Sequence, residues 1–232
     1  MNQSLGLVIF ALIVAVVIVV LAVVNYRREQ TMKRLAEISL QKGWQFVKSP
    51  SAYVDCILRG QDADVRWELR YTNREKTFNT FNRENVESIV WFSSAAGSRN
   101  GTIFVSPKMV EVPNLGGFDG VNTMAATFLN KMLRALGIDI SGSSPQAVGS
   151  EAFQSKYLTL APDDSTARQL IADIEAQLLR WSETNRLNMP SIVIDATGVT
   201  LRVVRNNLSV QSQCQMAEQM TSLGMTVVNA MR

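Results

Sequence analysis

The chain has no histidine and only two cysteines, Cys56 and Cys214, among its 232 residues. The absence of histidine removes the commonest general base, the usual base of a catalytic triad and the commonest zinc ligand. The cysteines lie far apart and form no Cys-x-x-Cys motif, so in a reducing compartment we expect packed free thiols. In an oxidising compartment the two could form a disulfide. We therefore expect no metal, no cofactor and no enzymatic activity.

A basic domain is also missing. The segment Tyr26–Arg34 carries four basic side chains and one acidic one, and the rest of the chain has equal numbers of both. A nucleic-acid-binding protein is expected to have a basic patch or domain, so the composition argues against a nucleic-acid partner. The local positive cluster instead fits contacts with anionic lipid headgroups, which we assign to Arg27, Arg28, Lys33 and Arg34.

Charge is absent from Leu5–Val24, whose sequence is LGLVIFALIVAVVIVVLAVV. At about 1.5 Å per residue a helix of this length reaches about 30 Å, the thickness of the hydrocarbon core of a bilayer. We therefore predict a transmembrane helix at 5–24, after a short tail at 1–4. A cleaved signal peptide is the alternative, but the run lacks a preceding basic region and a small-residue cleavage site. Because the basic residues follow the span, the positive-inside rule predicts an outside N-terminus and a cytoplasmic domain.

Three alanines, Ala11, Ala15 and Ala22, fall near one face of this predicted helix. Small residues on one face let a second helix approach closely. The alternative is an apolar helix with incidental alanines, and the absence of a Gly-x-x-x-Gly motif favours that alternative.

The rest of the chain predicts an α+β fold of mostly antiparallel strands with packed helices, in one domain or two subdomains. Four segments are expected: a helical stalk at 25–43, a β-rich α+β subdomain at 44–140, a linker at 141–150 and a C-terminal β-α-β-β-α subdomain at 151–232. Gly43 is a natural stop for the stalk. The linker is assigned from its glycine and serine content.

Short apolar runs bounded by turn residues predict the strands, and three- and four-residue spacing predicts the helices. The clearest strand alternates Val65, Trp67, Leu69 and Tyr71 with charged residues, so one of its faces is expected to be buried. The predicted strands are 44–47, 53–58, 65–71, 86–92, 102–106, 156–160, 192–195 and 199–203. The predicted helices are about 122–136, about 164–181 with Asp163 and Asp164 at its start, and one capped by Ser209 that ends near Met231.

The closing helix has an unusual composition, since Glu218 is its only charged side chain before Met231. A helix with so little charge is often covered on more than one side, and methionines suit adaptable contacts. Two interpretations stay open, packing within its own domain or a surface for a partner. The candidate partner surface comprises Val210, Cys214, Ala217, Met220 and Met231.

Three other features are candidate binding sites. Asp62 and Asp64 offer two carboxylates for a hard cation, but aspartate is also favoured at a hairpin tip. The 107–120 loop resembles a glycine loop that holds a phosphate, without a Gly-Lys-Ser/Thr or Gly-x-Gly-x-x-Gly motif. Arginines in 66–83 could form an anion site, but the glutamates that interleave with them favour a solvated mixed face.

Part of the C-terminal third resembles a known group of proteins. The pattern comprises Phe153-x-x-x-Tyr157, the Asp163-Asp164 helix start and Asp195-x-x-Gly198-Val199. It is similar to the C-terminal part of uncharacterised, single-pass, membrane-anchored bacterial proteins. The resemblance implies a bacterial source and the architecture above, and it implies no activity.

Together these observations predict a non-enzymatic interaction or scaffold module, anchored in the bacterial inner membrane and facing the cytoplasm. Its expected partners are the lipid bilayer and either a protein partner or a second copy, with the anchor raising the local concentration. One alternative is a tethered sensor or enzyme that binds a phosphate-bearing ligand at the 107–120 loop. The other is an envelope-facing domain of a secretion or cell-wall complex, which requires the opposite topology.

Overall fold

The computed structural model describes residues 3–49, 51, 53–76, 85–108, 140, 142–205 and 208–232. The predicted helix at 122–136 and residues 109–120 of the predicted phosphate loop lie outside these residues. Within the first helix, side chains are described for Phe10 and from Leu12 onward.

The chain begins with one long helix, α1, which spans Gln3–Lys42 and contains 40 residues. It ends at Gly43, whose φ of +69° is readily adopted by glycine because it has no Cβ. The backbone N–H of Trp44 donates to the carbonyl of Ser39 over 2.7 Å and closes the last turn. The apolar run and the predicted helical stalk form a single continuous helix.

The prediction of a transmembrane helix at Leu5–Val24 requires correction. Among the described residues, no helix combines the length and the apolarity needed to cross a membrane. The finding also contradicts the predicted single-pass, N-out and C-in placement in the bacterial inner membrane.

The described strands form one nine-stranded sheet in which every neighbouring pair is antiparallel. The spatial order is β1-β2-β3-β4-β9-β8-β5-β7-β6. The α+β class with antiparallel strands and packed helices is therefore confirmed. The strands are β1 Gln45–Lys48, β2 Val54–Asp62, β3 Val65–Lys76, β4 Asn85–Ser93, β5 Ile103–Pro107, β6 Ser144–Gln146, β7 Tyr157–Ala161, β8 Ser191–Asp195 and β9 Gly198–Val204.

The segments predicted as two subdomains share this sheet. Strand β4 pairs with β9 through Trp91 and Leu201, and β5 lies between β8 and β7. The predicted linker at 141–150 contains β6, and its Val148 is buried. The described part of the chain is thus held together by strand pairing across the predicted boundary.

Three further helices follow in the described part of the chain: α2 Glu151–Lys156, α3 Asp164–Thr184 and α4 Val210–Ala230. The main core lies where α1, α3 and α4 pack against the sheet, and it includes Leu69, Trp91 and Met220. In β5, Ile103 and Val105 join this core, whereas Phe104 belongs to a smaller cluster with Ile140 and Leu160. Since adjacent strand residues point to opposite faces, the small cluster marks the second face of the sheet.

Helix α3 begins with a side-chain cap at Asp163. Its Oδ1 accepts the backbone N–H of Thr166 over 2.7 Å and the hydroxyl of Ser165 over 2.6 Å. The Ser165 hydroxyl and the Thr166 donors lower the pKa of Asp163 to about 2. Because the folded-state pKa is depressed, the stabilisation is present above the unfolded-state pKa of about 3.9 and is lost as pH falls toward 2.

We expect acid titration of Asp163 to loosen the first turn of α3. Carbon-detected NMR should show its carboxyl titrating near pH 2, with the amide of Thr166 shifting at the same midpoint. In an Asp163→Ala chain the Thr166 amide should lose that transition. A Thr166 amide that titrates identically in both chains would contradict the assignment of the cap.

Candidate functional site

The N-terminal half of α1 carries large apolar side chains that the rest of the described chain leaves uncovered. We call residues 10–24 the apolar arm. Phe10 is 66 % exposed, Leu12 62 % and Ile18 60 %, and at 100° per residue these three positions lie about 80–160° apart around the helix. A helix that is apolar on all sides is normally covered, and contiguous exposed apolar surface marks a binding surface. The arm is therefore the strongest candidate interaction element among the described residues.

One face of the arm carries small side chains. Ala15 and Ala22 are exposed and lie two turns apart, about 10 Å along the axis. The side chain of Ala11, which the sequence placed on the same face, is outside the described set. Small side chains at such a position allow another helix to come within van der Waals contact of the backbone.

The C-terminal half of α1 is packed onto the domain, mainly against α4 and β1. Leu35 is fully buried, and Thr31 and Ser39 are buried on the same side. Both hydroxyls are satisfied within the helix, since Thr31 Oγ1 donates to the Arg27 carbonyl and Ser39 Oγ to the Leu35 carbonyl. Thr31 and Ser39 can therefore be buried against the domain without leaving a hydroxyl donor unpaired.

A group of four polar residues, Arg28, Asp55, Arg205 and Gln213, joins α1 to three other elements, and we call it the polar clamp. The Asp55 carboxylate, 3 % exposed, forms ion pairs with Arg28 of α1 and with Arg205, which follows β9. Arg205 Nη1 donates to Gln213 Oε1 over 2.9 Å, and Gln213 lies on α4. These contacts link α1 to β2, to the residue that follows β9 and to α4, and so they fix the direction of α1 relative to the sheet.

Arg205 is the centre of the clamp and is only 6 % exposed. Its Nη2 donates to the Thr72 carbonyl over 2.9 Å and lies 3.4 Å from Asp55 Oδ2. Its guanidinium carbon stands 5.6 Å from the centre of the Tyr71 ring, within the range of a cation–π contact. A buried cation with this many partners is structurally important, because its removal leaves each of those partners without the group that it contacts.

The two cysteines are buried free thiols. Burial raises the pKa of Cys56 to about 12 and that of Cys214 to about 11. A thiol with a raised pKa is largely protonated at neutral pH and is a poor nucleophile. Neither cysteine has the properties of a catalytic residue.

The predicted headgroup contacts lie at the boundary between the arm and the packed half of α1. Arg27, Lys33 and Arg34 are exposed, and Arg34 is 3.7 Å from Glu37. Arg28 is half-exposed and is engaged with Asp55 in the polar clamp. Contact of these residues with lipid headgroups stays a prediction.

The predicted partner surface on the closing helix is mostly covered by the chain itself. Cys214, Ala217 and Met220 are buried in the main core, and Val210 and Met231 are half-buried. The placement favours the alternative in which α4 packs within its own domain. Methionine and small residues here fill the space between the sheet, α1 and α3.

The two carboxylates considered for a metal lie at the tip of the β2–β3 hairpin. Ala63 has a φ of +50°, which forms the turn, and Asp64 pairs with Arg232 over 2.8 Å. Among the described residues, no three metal-ligating side chains come together. The hairpin geometry accounts for both aspartates.

The comparisons with known proteins give a distant structural match and no relative by sequence. No protein family and no curated protein matches the chain. A structural match covers 87 % of this chain and 94 % of the other, at 9 % identity and a TM-score of 0.47. That structure is described as the crystal structure of the mycobacterial trehalose monomycolate transport factor A, TtfA. A likeness at this level carries no argument about function, and the resemblance to membrane-anchored bacterial proteins stays a prediction.

Proposed function

We propose that the protein is a non-enzymatic interaction module in which the apolar arm of one copy pairs with the arm of a second copy. The observation that carries the proposal is the exposure of the arm on all sides while the second half of the same helix is packed and clamped. Apolar surface of this extent is stabilised when another surface removes it from water.

The alanine face indicates how two arms would meet. Ala15 and Ala22 are exposed and have no side chain beyond Cβ, so a partner helix can approach closely along that line. Pairing of identical faces is self-complementary, as a two-fold dimer requires. The clamped half of α1 then holds the two sheet domains at a fixed position relative to the pair.

The test compares two double variants of the full chain that add the same bulk at different places. Ala15→Phe with Ala22→Phe fills the alanine face. Val16→Phe with Val23→Phe has the same spacing on a face rotated by about 100°. Sedimentation equilibrium in a non-ionic detergent should show a dimer whose dissociation constant rises at least tenfold in the alanine variant, about 1.4 kcal/mol, and stays within threefold in the valine variant.

Two results would overturn the proposal. Equal weakening by both variants would mean that general apolar association, and not the alanine face, drives assembly. A wild-type chain that stays monomeric in detergent but sediments with phosphatidylcholine vesicles would show that the arm contacts lipid instead of a second arm.

A further inference from the structure

The second face of the sheet, opposite the main core, carries a shallow groove. Its volume is about 300 Å³, and it is formed by β2, β3 and β4. The residues that matter here are Arg59, Arg66, Glu68, Arg70, Phe92 and Ser93. In β3, Val65, Trp67, Leu69 and Tyr71 belong to the main core, so Arg66, Glu68 and Arg70 point to the opposite face.

Strand register brings the three arginines around one glutamate. Arg59 of β2 lies directly opposite Glu68 of β3, and Arg66 and Arg70 are two residues before and after Glu68 on the same face. Arg59 Nε donates to Glu68 Oε2 over 2.8 Å, and Arg70 Nε donates to Glu68 Oε1. Both oxygens of the carboxylate are therefore occupied by the groove's own arginines.

The groove keeps unused donors and an excess of positive charge. Among the described residues, the Nη atoms of Arg59 and Arg70 make no hydrogen bond, and the Arg66 guanidinium has no acidic partner. Burial raises the pKa of Glu68, but hydrogen bonds from Arg59 and Arg70 lower it to a net value below the usual range, so the carboxylate is ionised. Three guanidinium groups against one carboxylate leave a net charge of +2.

The backbone beneath these side chains is fixed. Ser93 Oγ donates to the Arg66 carbonyl over 2.7 Å, and the Ala95 N–H donates to the same Oγ, so the end of β4 is tied to the start of β3. Glu68 similarly fixes the direction of two guanidinium groups. Phe92, paired with Glu68 across β3 and β4, adds partly buried apolar surface next to the charges.

We propose that this groove binds a phosphate-bearing ligand, with Arg66, Arg70 and Arg59 holding the phosphate and Phe92 contacting the apolar part next to it. A phosphate monoester carries a charge of about −1.5 to −2 and three acceptor oxygens, which match the excess charge and the free guanidinium donors. A single carboxylate would neutralise only half of that charge. Free phosphate compounds and lipid headgroups share this chemistry, and the experiment separates them.

The experiment measures binding of inorganic pyrophosphate to the full chain by titration calorimetry at low ionic strength. Arg66→Gln removes the guanidinium that has no acidic partner among the described residues, and it should weaken binding at least tenfold. Arg186→Gln, at an exposed position after α3, is the matched control and should change the dissociation constant less than twofold. Arg66→Lys should recover part of the loss, because it restores the charge but not the planar fork.

The source of the phosphate is tested with glycerol 3-phosphate and dihexanoyl phosphatidic acid. For each probe, the quantity compared is the difference in binding between the wild type and the Arg66→Gln chain. Adsorption of the probe to the apolar arm is the same in both chains and does not contribute to this difference. Tighter Arg66-dependent binding of the lipid assigns the groove to a lipid headgroup, and equal binding assigns it to a free phosphate compound. Absence of binding by the wild type, or equal binding by the Arg66→Gln and Arg186→Gln chains for all three probes, would overturn the proposal. Neither result bears on pairing of the arms.

Discussion

Replacing Arg205 with methionine is expected to destabilise the folded chain by about 3–5 kcal/mol, the cost of removing one partner from a buried ion pair. The substitution leaves the Asp55 carboxylate, 3 % exposed, with Arg28 as its remaining clamp cation, and Arg28 is itself half-exposed. It also removes the donors to the Thr72 carbonyl and to Gln213. Thermal unfolding followed by circular dichroism should show a fall in Tm of about 6–20 °C.

A second substitution separates the loss of the pair from the loss of packing. In the double variant Arg205→Met with Asp55→Leu, no acidic group is left buried, and part of the stability should return because apolar replacement of a buried pair is often neutral. Arg186→Met, on an exposed arginine, should change Tm by less than 2 °C. A single Arg205→Met chain as stable as wild type would show that the clamp does not hold the domain together.

The local elements could be predicted because their signals lie within a few residues. Gly43 ends α1, Asp163 and Ser209 cap α3 and α4, and alternation in Val65–Tyr71 gives the buried face of β3. The apolar composition of 5–24 also gave a helix. The helical stalk predicted at 25–43 likewise continues the same helix to Lys42, but its packing onto α4 has no local signal.

The candidate sites could be predicted only in part, because they depend on register and on distant contacts. Alternation in β3 predicts a mixed charged face, but the predicted strand 53–58 ends before Arg59, whereas β2 continues to Asp62 and the turn is confined to Ala63 and Asp64. That extension is what places Arg59 opposite Glu68. The polar clamp was missed altogether, since Asp55 and Arg205 are 150 residues apart in sequence and no local pattern links them.

Gly224 gives the other large expected effect, and it concerns the contact between α4 and the sheet. A Cβ built on this residue would lie 2.6 Å from the Trp91 ring, and Trp91 is fully buried. In a helix, replacing glycine normally stabilises by up to about 1 kcal/mol, so propensity and packing predict opposite signs here. Because an enclosed indole cannot move aside cheaply, overpacking should win, and Gly224→Val should destabilise the chain by about 3 kcal/mol.

The measurement is urea unfolding monitored by tryptophan fluorescence, with Ser222→Val as the control on an exposed position of the same helix. The control introduces the same side chain, and because serine and valine have similar helix propensities it should stay within about 0.5 kcal/mol of wild type. A Gly224→Val chain that matches the control would mean that α4 can shift away from Trp91. The position of α4 on the core would then be adjustable, and so would the contact between α4 and α1.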